Sequence, residues 1–512
     1  MKTALVAISL VILPLDGFES REPAMPSIAT NQEDARMAAE VLRSARGTAP
    51  VFCTLASASL EQGWGRRFGP PAETDDAAAW ALTGRVSAAA LPVLTEGLRD
   101  ADACVRGAAA RLLARVREGE GARVLASELA STDAGVREAA ALGLGLARER
   151  SSVPALSGAL RDRSAGVRVT AAWALGRIGD AAAAGPLAAA IDDGDAMVRA
   201  AVATALGFVE AQESGEALLR VLQRDGDARV RAAAAESLAR LRYEPALPAL
   251  RAAVADSDEG VRRIAAWALG TMEDAGAAGA LAGGLAASQP ENVREMSAWA
   301  LAHVGRQSPE GTRALVAALG SDASASVREM AAWALVETDA SGESGALSRA
   351  ARQDRSAAVR ATAVWALAEM ETDDAAETLA GLLADAEVEV RRRAAWGLGQ
   401  LRIRNAPAAL VAALGDTDAG VRYRAAWALG QIEDAATAGA LAPLLRDADA
   451  QVRRAAMWAL GGIDVPAAHA ALATALESDD ARVRELAARS LGRRGPSPWP
   501  WPHPQPRPRP FP

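Results

Sequence analysis

One dipeptide sets the architecture of this chain. Val-Arg recurs with its arginine at positions 106, 137, 168, 199, 231, 262, 294, 328, 360, 391, 422, 453 and 484, at intervals of 31 or 32 residues broken once by 34. A fixed period of this length means one supersecondary unit stacked on copies of itself, because so small a unit cannot bury its apolar side alone. One period before Arg106 lies Asp75, followed by AAAWALTG, so a diverged first unit brings the count to about fourteen and the array to residues 75–495.

Within the unit around Arg422, Asp418 is placed to cap a helix that begins near Ala419. Val421, Ala425, Leu429 and Ile432 share one face of it at helical spacing. Asp434 is placed to cap a second helix through Ala440, Leu441, Leu444 and Leu445, closed by the turn RDAD. Each unit is then two short antiparallel helices. Composition agrees, since half the 512 residues are apolar with a surplus of alanine and only 4% are aromatic, which builds many thin helix contacts instead of one bulky core.

Units such as DTDAGVRYRAAWALGQIEDAATAGALAPLLRD resemble the short HEAT repeats of bacterial and bilin-lyase-type proteins. The resemblance implies an all-α fold, an α-solenoid that is a right-handed superhelix of helix-pair HEAT-like repeats, with the Val-Arg helices lining its concave side. It does not select a function, because that family holds scaffolds, chromophore lyases, an iron hydroxylase and DNA glycosylases. The hydroxylase pattern draws His-Glu pairs from several repeats, and no such pair occurs here.

Four positions recur with the arginine. Acidic residues precede it by six and four positions, as Asp416 and Asp418 precede Arg422 and Asp256 and Asp258 precede Arg262, a spacing suited to arginine-to-aspartate bonds that tie successive turns into a ladder. Glycines such as Gly270, Gly399 and Gly430 follow it by eight and read as close-packing positions, since no GxGxxG follows a strand. A tryptophan follows the arginine, or Asp75 in the diverged first unit, by five: Trp80, Trp173, Trp267, Trp299, Trp333, Trp365, Trp396, Trp427 and Trp458, filling seven consecutive units from Trp267 onward. If Val421, Ala425 and Leu429 form the buried stripe, Trp427 stands about 200 degrees around the helix and faces outward. The expectation is a tryptophan row along the groove, with Trp173, Trp267, Trp299, Trp333, Trp365, Trp396, Trp427 and Trp458 as partner-binding residues. The competing reading lays each ring flat on the neighbouring unit as ordinary packing. On the same face Glu295, Glu329, Glu337 and Glu369 make the middle units acidic, and Arg392, Arg393, Arg424 and Arg454 make the later ones basic.

Other chemistry is thin. The formal net charge of -8 disfavours a general nucleic-acid binder, because phosphate neutralisation needs a basic surface. His303, His469 and His503 are scattered, and Cys53 and Cys104 form no CxxC pair, so neither a zinc site nor a cofactor is expected. The two cysteines fit free thiols or one bridge, and for Cys53 a small buried side chain is expected over a cofactor thiolate. No HExxH, GxSxG or paired Cys and His is present.

The ends differ from the array. Residues 1–29 open with MKTALVAISLVILPL, the shape of a signal peptide and too short to span a membrane; the nearest small-x-small site is Ser27-Ile28-Ala29. Export to the periplasm, cell envelope or exterior is expected, with the cytoplasm as the alternative. Residues 30–74 read as an N-terminal helical cap, and residues 496–512, with proline at every second position, as a polyproline II tail. Together these features point to a non-enzymatic bacterial scaffold that binds a protein or peptide. The alternatives are a bilin-lyase-like or base-excision-like enzyme, or a nucleic-acid binder using the basic later repeats.

Overall fold

A computed structural model describes residues 28–46, 86–116, 119–304, 308–338, 340–371, 374–401, 403–478 and 481–492. The signal-like segment up to residue 27, the rest of the expected cap with Cys53, the first unit around Trp80, and the proline-rich tail lie outside the described residues. The chain divides into two compact units, residues 1–155 and 156–512.

The expected caps form. Asp418 accepts from the amide of Val421 at the start of helix Ala419–Ile432, and Asp195, Asp227, Asp258 and Asp449 cap their helices in the same way. Each carboxylate satisfies amides that the first helical turn leaves without partners. The helix Ala419–Ile432 stops where Glu433 turns left-handed, at φ 56°; Glu210, Arg242, Glu273 and Glu371 do the same eleven residues after their own arginines. The second helix of that unit is broken into pieces: a 3-10 turn Ala435–Thr437 held by Asp434, a short helix Ala438–Leu441, and a 3-10 stretch Ala442–Arg446.

In the larger unit the Val-Arg helices lie side by side from Ala165–Ile178 to Ala481–Gly492 and form one layer. The intervening helices form the second layer, each against the Val-Arg helix that follows it, as Ser344–Gln353 lies against Ala357–Glu369. The core runs between the layers as a repeated set. Val421, Ala425, Ala426, Ala428 and Leu429 are fully buried, and so are their counterparts Val390, Ala394, Ala395 and Leu398 one unit earlier. Alanine at three of these positions lets adjacent helices approach closely.

In the smaller unit, helix Ile28–Ala45 packs against Leu91–Leu98 and Ala103–Leu113. Leu42 fills the space beside Gly97, where a Cβ would stand 2.5 Å from the leucine Cδ1. The Ser87 amide donates to Asp34 Oδ2 at 3.0 Å, and Arg46 pairs with Asp100. Among the described residues no helix is long and apolar enough to cross a membrane.

Candidate partner-binding face

The frame arginines are tied off as structure. In each rung Nη1 turns back to carbonyls just before its own helix, while Nε and Nη2 form a two-toothed pair with an aspartate of the next unit. Arg328 donates to the Asp322 carbonyl at 2.8 Å and to both oxygens of Asp354 at 2.7 and 2.9 Å, with its side chain 5% exposed. The rung repeats from Arg168 to Asp193, Arg199 to Asp225, Arg231 to Asp256, Arg294 to Asp322, Arg360 to Asp385, Arg391 to Asp416 and Arg422 to Asp447. The ladder is the one the spacing suggests, with its roles divided. The aspartate six positions before an arginine lends that arginine its carbonyl and gives its carboxylate to the arginine of the preceding unit; the aspartate at four is the helix cap.

The ladder is broken at Arg262. After Arg262 the next unit carries Ser288 and Pro290 where others have the two aspartates. Arg262 keeps its carbonyls, Asp256 at 2.7 Å and Ser257 at 3.0 Å, but its Nε is buried with no hydrogen-bond partner.

The tryptophans correct the expectation of an outward row. Trp365, Trp396, Trp427 and Trp458 are buried, Trp427 completely, and Trp173, Trp267, Trp299 and Trp333 are half-buried; none of the eight is exposed. The reason lies in the number of neighbours. A single buried stripe describes a helix with one covered side, whereas a Val-Arg helix is covered by the unit before it, the unit after it and its own second-layer partner. The ring then folds over the preceding unit's glycine. A Cβ on Gly270 would stand 2.7 Å from Trp299 Cζ3, one on Gly399 2.5 Å from Trp427 Cζ3, and one on Gly430 2.4 Å from Trp458 Cζ3. Those glycines are close-packing positions, as their spacing suggested.

What remains open to solvent on helices Glu291–His303 and Ala325–Glu337 is a narrow strip made of positions one, five and nine after the arginine. On helix Glu291–His303 these are Glu295, Trp299 and His303, stacked four residues apart; on Ala325–Glu337 they are Glu329, Trp333 and Glu337. His303 is exposed, and its ring joins the two helices, 4.2 Å between centroids to Trp299 and 5.9 Å to Trp333. Sequence reading passed over this histidine as isolated. Its place four residues after a frame tryptophan was the available signal.

The charges on the strip are unequal in their freedom. Glu295 is half-buried and makes no hydrogen bond or ion pair; burial, then the carboxylates of Glu291 and Glu329, pushes it above the usual carboxylate range. Glu329 accepts from the Thr362 hydroxyl at 3.0 Å. Among the later arginines, Arg392 is held by both oxygens of Asp418 at 2.8 Å and Arg393 by Glu389 at 3.0 Å. Arg424 donates to the Gly420 carbonyl at 3.2 Å, and burial lowers its basicity. Half of the expected basic patch is therefore neutralised within the protein. Among the described residues no group of three or more His, Cys, Asp or Glu side chains gathers as a metal site.

A family model described as HEAT repeats matches residues 122–207, 215–302, 280–367, 312–395, 376–448 and 438–498. Among solved structures, importin beta is 15% identical over 89% of this chain and 72% of that one, with a TM-score of 0.55. Kap121p is 14% identical over 90% of this chain, with a TM-score of 0.52, and the chain spans only 56% of that protein's length. At such identities the likeness is one of fold. The phycocyanin lyase complex of Nostoc, 23% identical over 49% of this chain and 96% of that one, superposes with a TM-score of only 0.31 and carries no functional argument. No curated protein matches the chain.

Proposed function

Since the chain belongs to the HEAT-repeat family, we propose that it is a non-enzymatic scaffold that binds a protein or peptide along the open strip of its Val-Arg helices. The observation that carries the reading is the half-exposed aromatic set, Trp299 and Trp333 joined by exposed His303, with Trp267 and Trp173 at the same position in earlier units. Indole is a frequent interface anchor, and a connected aromatic surface beside unpaired charge suits recognition better than solvation. Trp365, Trp396, Trp427 and Trp458 leave this proposal as contact residues, because their rings are buried in packing.

The test replaces Trp299 and Trp333 together with alanine. Partner affinity is expected to fall by at least ~2 kcal/mol, the scale of interface hot spots, with a smaller loss of unfolding free energy than a buried tryptophan would cause. Unchanged affinity for a partner identified with the wild type would remove the strip from the binding reading.

We propose export as well. Cys104 is buried and disulfide-bonded, and disulfides persist in oxidising compartments. Protein recovered from its host should begin after Leu15 and show no free thiol when denatured. An intact Met1 with two titratable thiols would overturn the proposal.

A further inference from the structure

The strip on helices Glu291–His303 and Ala325–Glu337 combines two properties that rarely stay unpartnered together. It offers a continuous aromatic surface, Trp299, His303 and Trp333, and beside it a half-buried carboxylate, Glu295, whose nearest charged neighbours are also acidic. A group that answers both is a guanidinium, planar enough to stack on indole and able to pair with a carboxylate through two N–H bonds. Proline-rich extended segments dock on aromatic faces because their shape is already set before binding.

The chain carries such a segment. Residues 496–512 alternate proline with other residues, include Arg507 and Arg509, and contain no acidic side chain. From Gly492 to Arg507 is 15 residues and to Arg509 is 17, about 46 Å and about 53 Å as polyproline II at ~3.1 Å per residue. The Val-Arg helices of Arg328 and Arg294 lie five and six helices from that of Arg484, about 40 to 50 Å and about 48 to 60 Å along the layer at the usual 8 to 10 Å between packed helices. Charge, chemistry and reach therefore agree.

We propose that residues 496–512 dock on the acidic, aromatic strip of the same molecule, with an arginine of the segment at Glu295 and Glu329, so that the segment competes with any foreign partner for this surface. The inference rests on the strip being a peptide-binding face.

The experiment uses the full chain and a labelled synthetic peptide of residues 496–512, with binding read by fluorescence anisotropy. In the wild type the tethered segment blocks the strip and the peptide binds weakly. In the full chain carrying Arg507→Glu and Arg509→Glu, the peptide is expected to bind at least tenfold more tightly. Adding Glu295→Gln and Glu329→Gln should lose that gain, while thermal unfolding stays that of the parent. Equal peptide affinity for the wild type and the arginine variant, or no loss with the glutamine pair, would overturn docking within the molecule. A wild type that elutes as a dimer, with the arginine variant as a monomer, would overturn it in favour of exchange between two copies. A foreign partner that loses affinity with the tryptophan pair while the peptide fails to bind would sink this inference alone and leave the scaffold reading standing.

Discussion

Trp427 and Trp299 occupy the same position in the repeat and have different surroundings. Trp427 is 0% exposed, whereas Trp299 keeps part of its ring at the open strip, within 4.2 Å of the His303 ring centroid. Trp427→Ala should therefore cost about 3 to 5 kcal/mol of unfolding free energy, the range for deleting a large buried ring, and Trp299→Ala distinctly less. Paired urea melts decide this, and equal losses would contradict the difference in burial. The ladder makes a second residue-level contrast. Arg328→Ala strands the 7% exposed side chain of Asp354 without its cation and should cost about 3 to 5 kcal/mol, as breaking a buried pair does. Arg262→Ala removes no ion pair and should cost less than half as much.

At the scale of helices, two glycines test what the close approach requires. Gly430 lies where helix Ala450–Gly462 crosses Ala419–Ile432, and a Cβ there would stand 2.8 Å from the Ala459 Cα as well as meeting the Trp458 ring. Backbone cannot yield as a side-chain tip does, so Gly430→Ala should destabilise by about 1 to 3 kcal/mol even after the gain in helix propensity. Gly381, near the end of Ala375–Leu382, has nothing within 4 Å of the added atom. Gly381→Ala should stabilise by about 0.5 to 1 kcal/mol, because only the flexibility of the unfolded chain changes. A melting shift of the same sign for both would show that packing at Gly430 is looser than the distances imply.

Over the whole array, the rungs couple stability to pH. Arg199 beside Asp225, Arg391 beside Asp416 and Arg422 beside Asp447 hold those carboxyls below their ordinary value of 3.8, against burial, which acts the other way. A carboxyl depressed in the folded state contributes stability that is complete above its unfolded value and is lost as pH falls through the folded one. Several rungs titrating together should make helix content collapse steeply below about pH 4, and Asp416→Asn should soften that transition. Circular dichroism across pH 2 to 6 checks it; a stable array at pH 2 would contradict the linkage. The break at Arg262 predicts a local weakness instead. Amides of Ala278–Gly284, beside the break at Ser288, should exchange with deuterium sooner than those of Pro309–Ser321, which flank the rung from Arg294 to Asp322.

The period, the two-helix unit, the aspartate caps and the glycine contacts were all legible in the sequence, because each depends on spacing within about one repeat and repetition averages away local noise. Asp418 before Ala419 and Gly430 eight residues after Arg422 needed no knowledge of neighbours. The placement of the tryptophans was not legible in the same way. A helical wheel records where a residue sits on its own helix, and whether that side is covered depends on how many other helices surround it; Trp427 points away from the Val421 stripe and is still enclosed. The same limit hid which arginine each aspartate serves, since Asp416 lies near Arg422 in sequence and gives its carboxylate to Arg391. It hid His303 too, whose meaning comes from Trp333 on the next helix. Sequence alone thus determined the repeat and its local hydrogen bonding, which arise within single helices and turns. Tertiary structure decided burial, ion-pair partnership and the open strip, because those are set by the stacking of one unit on the next.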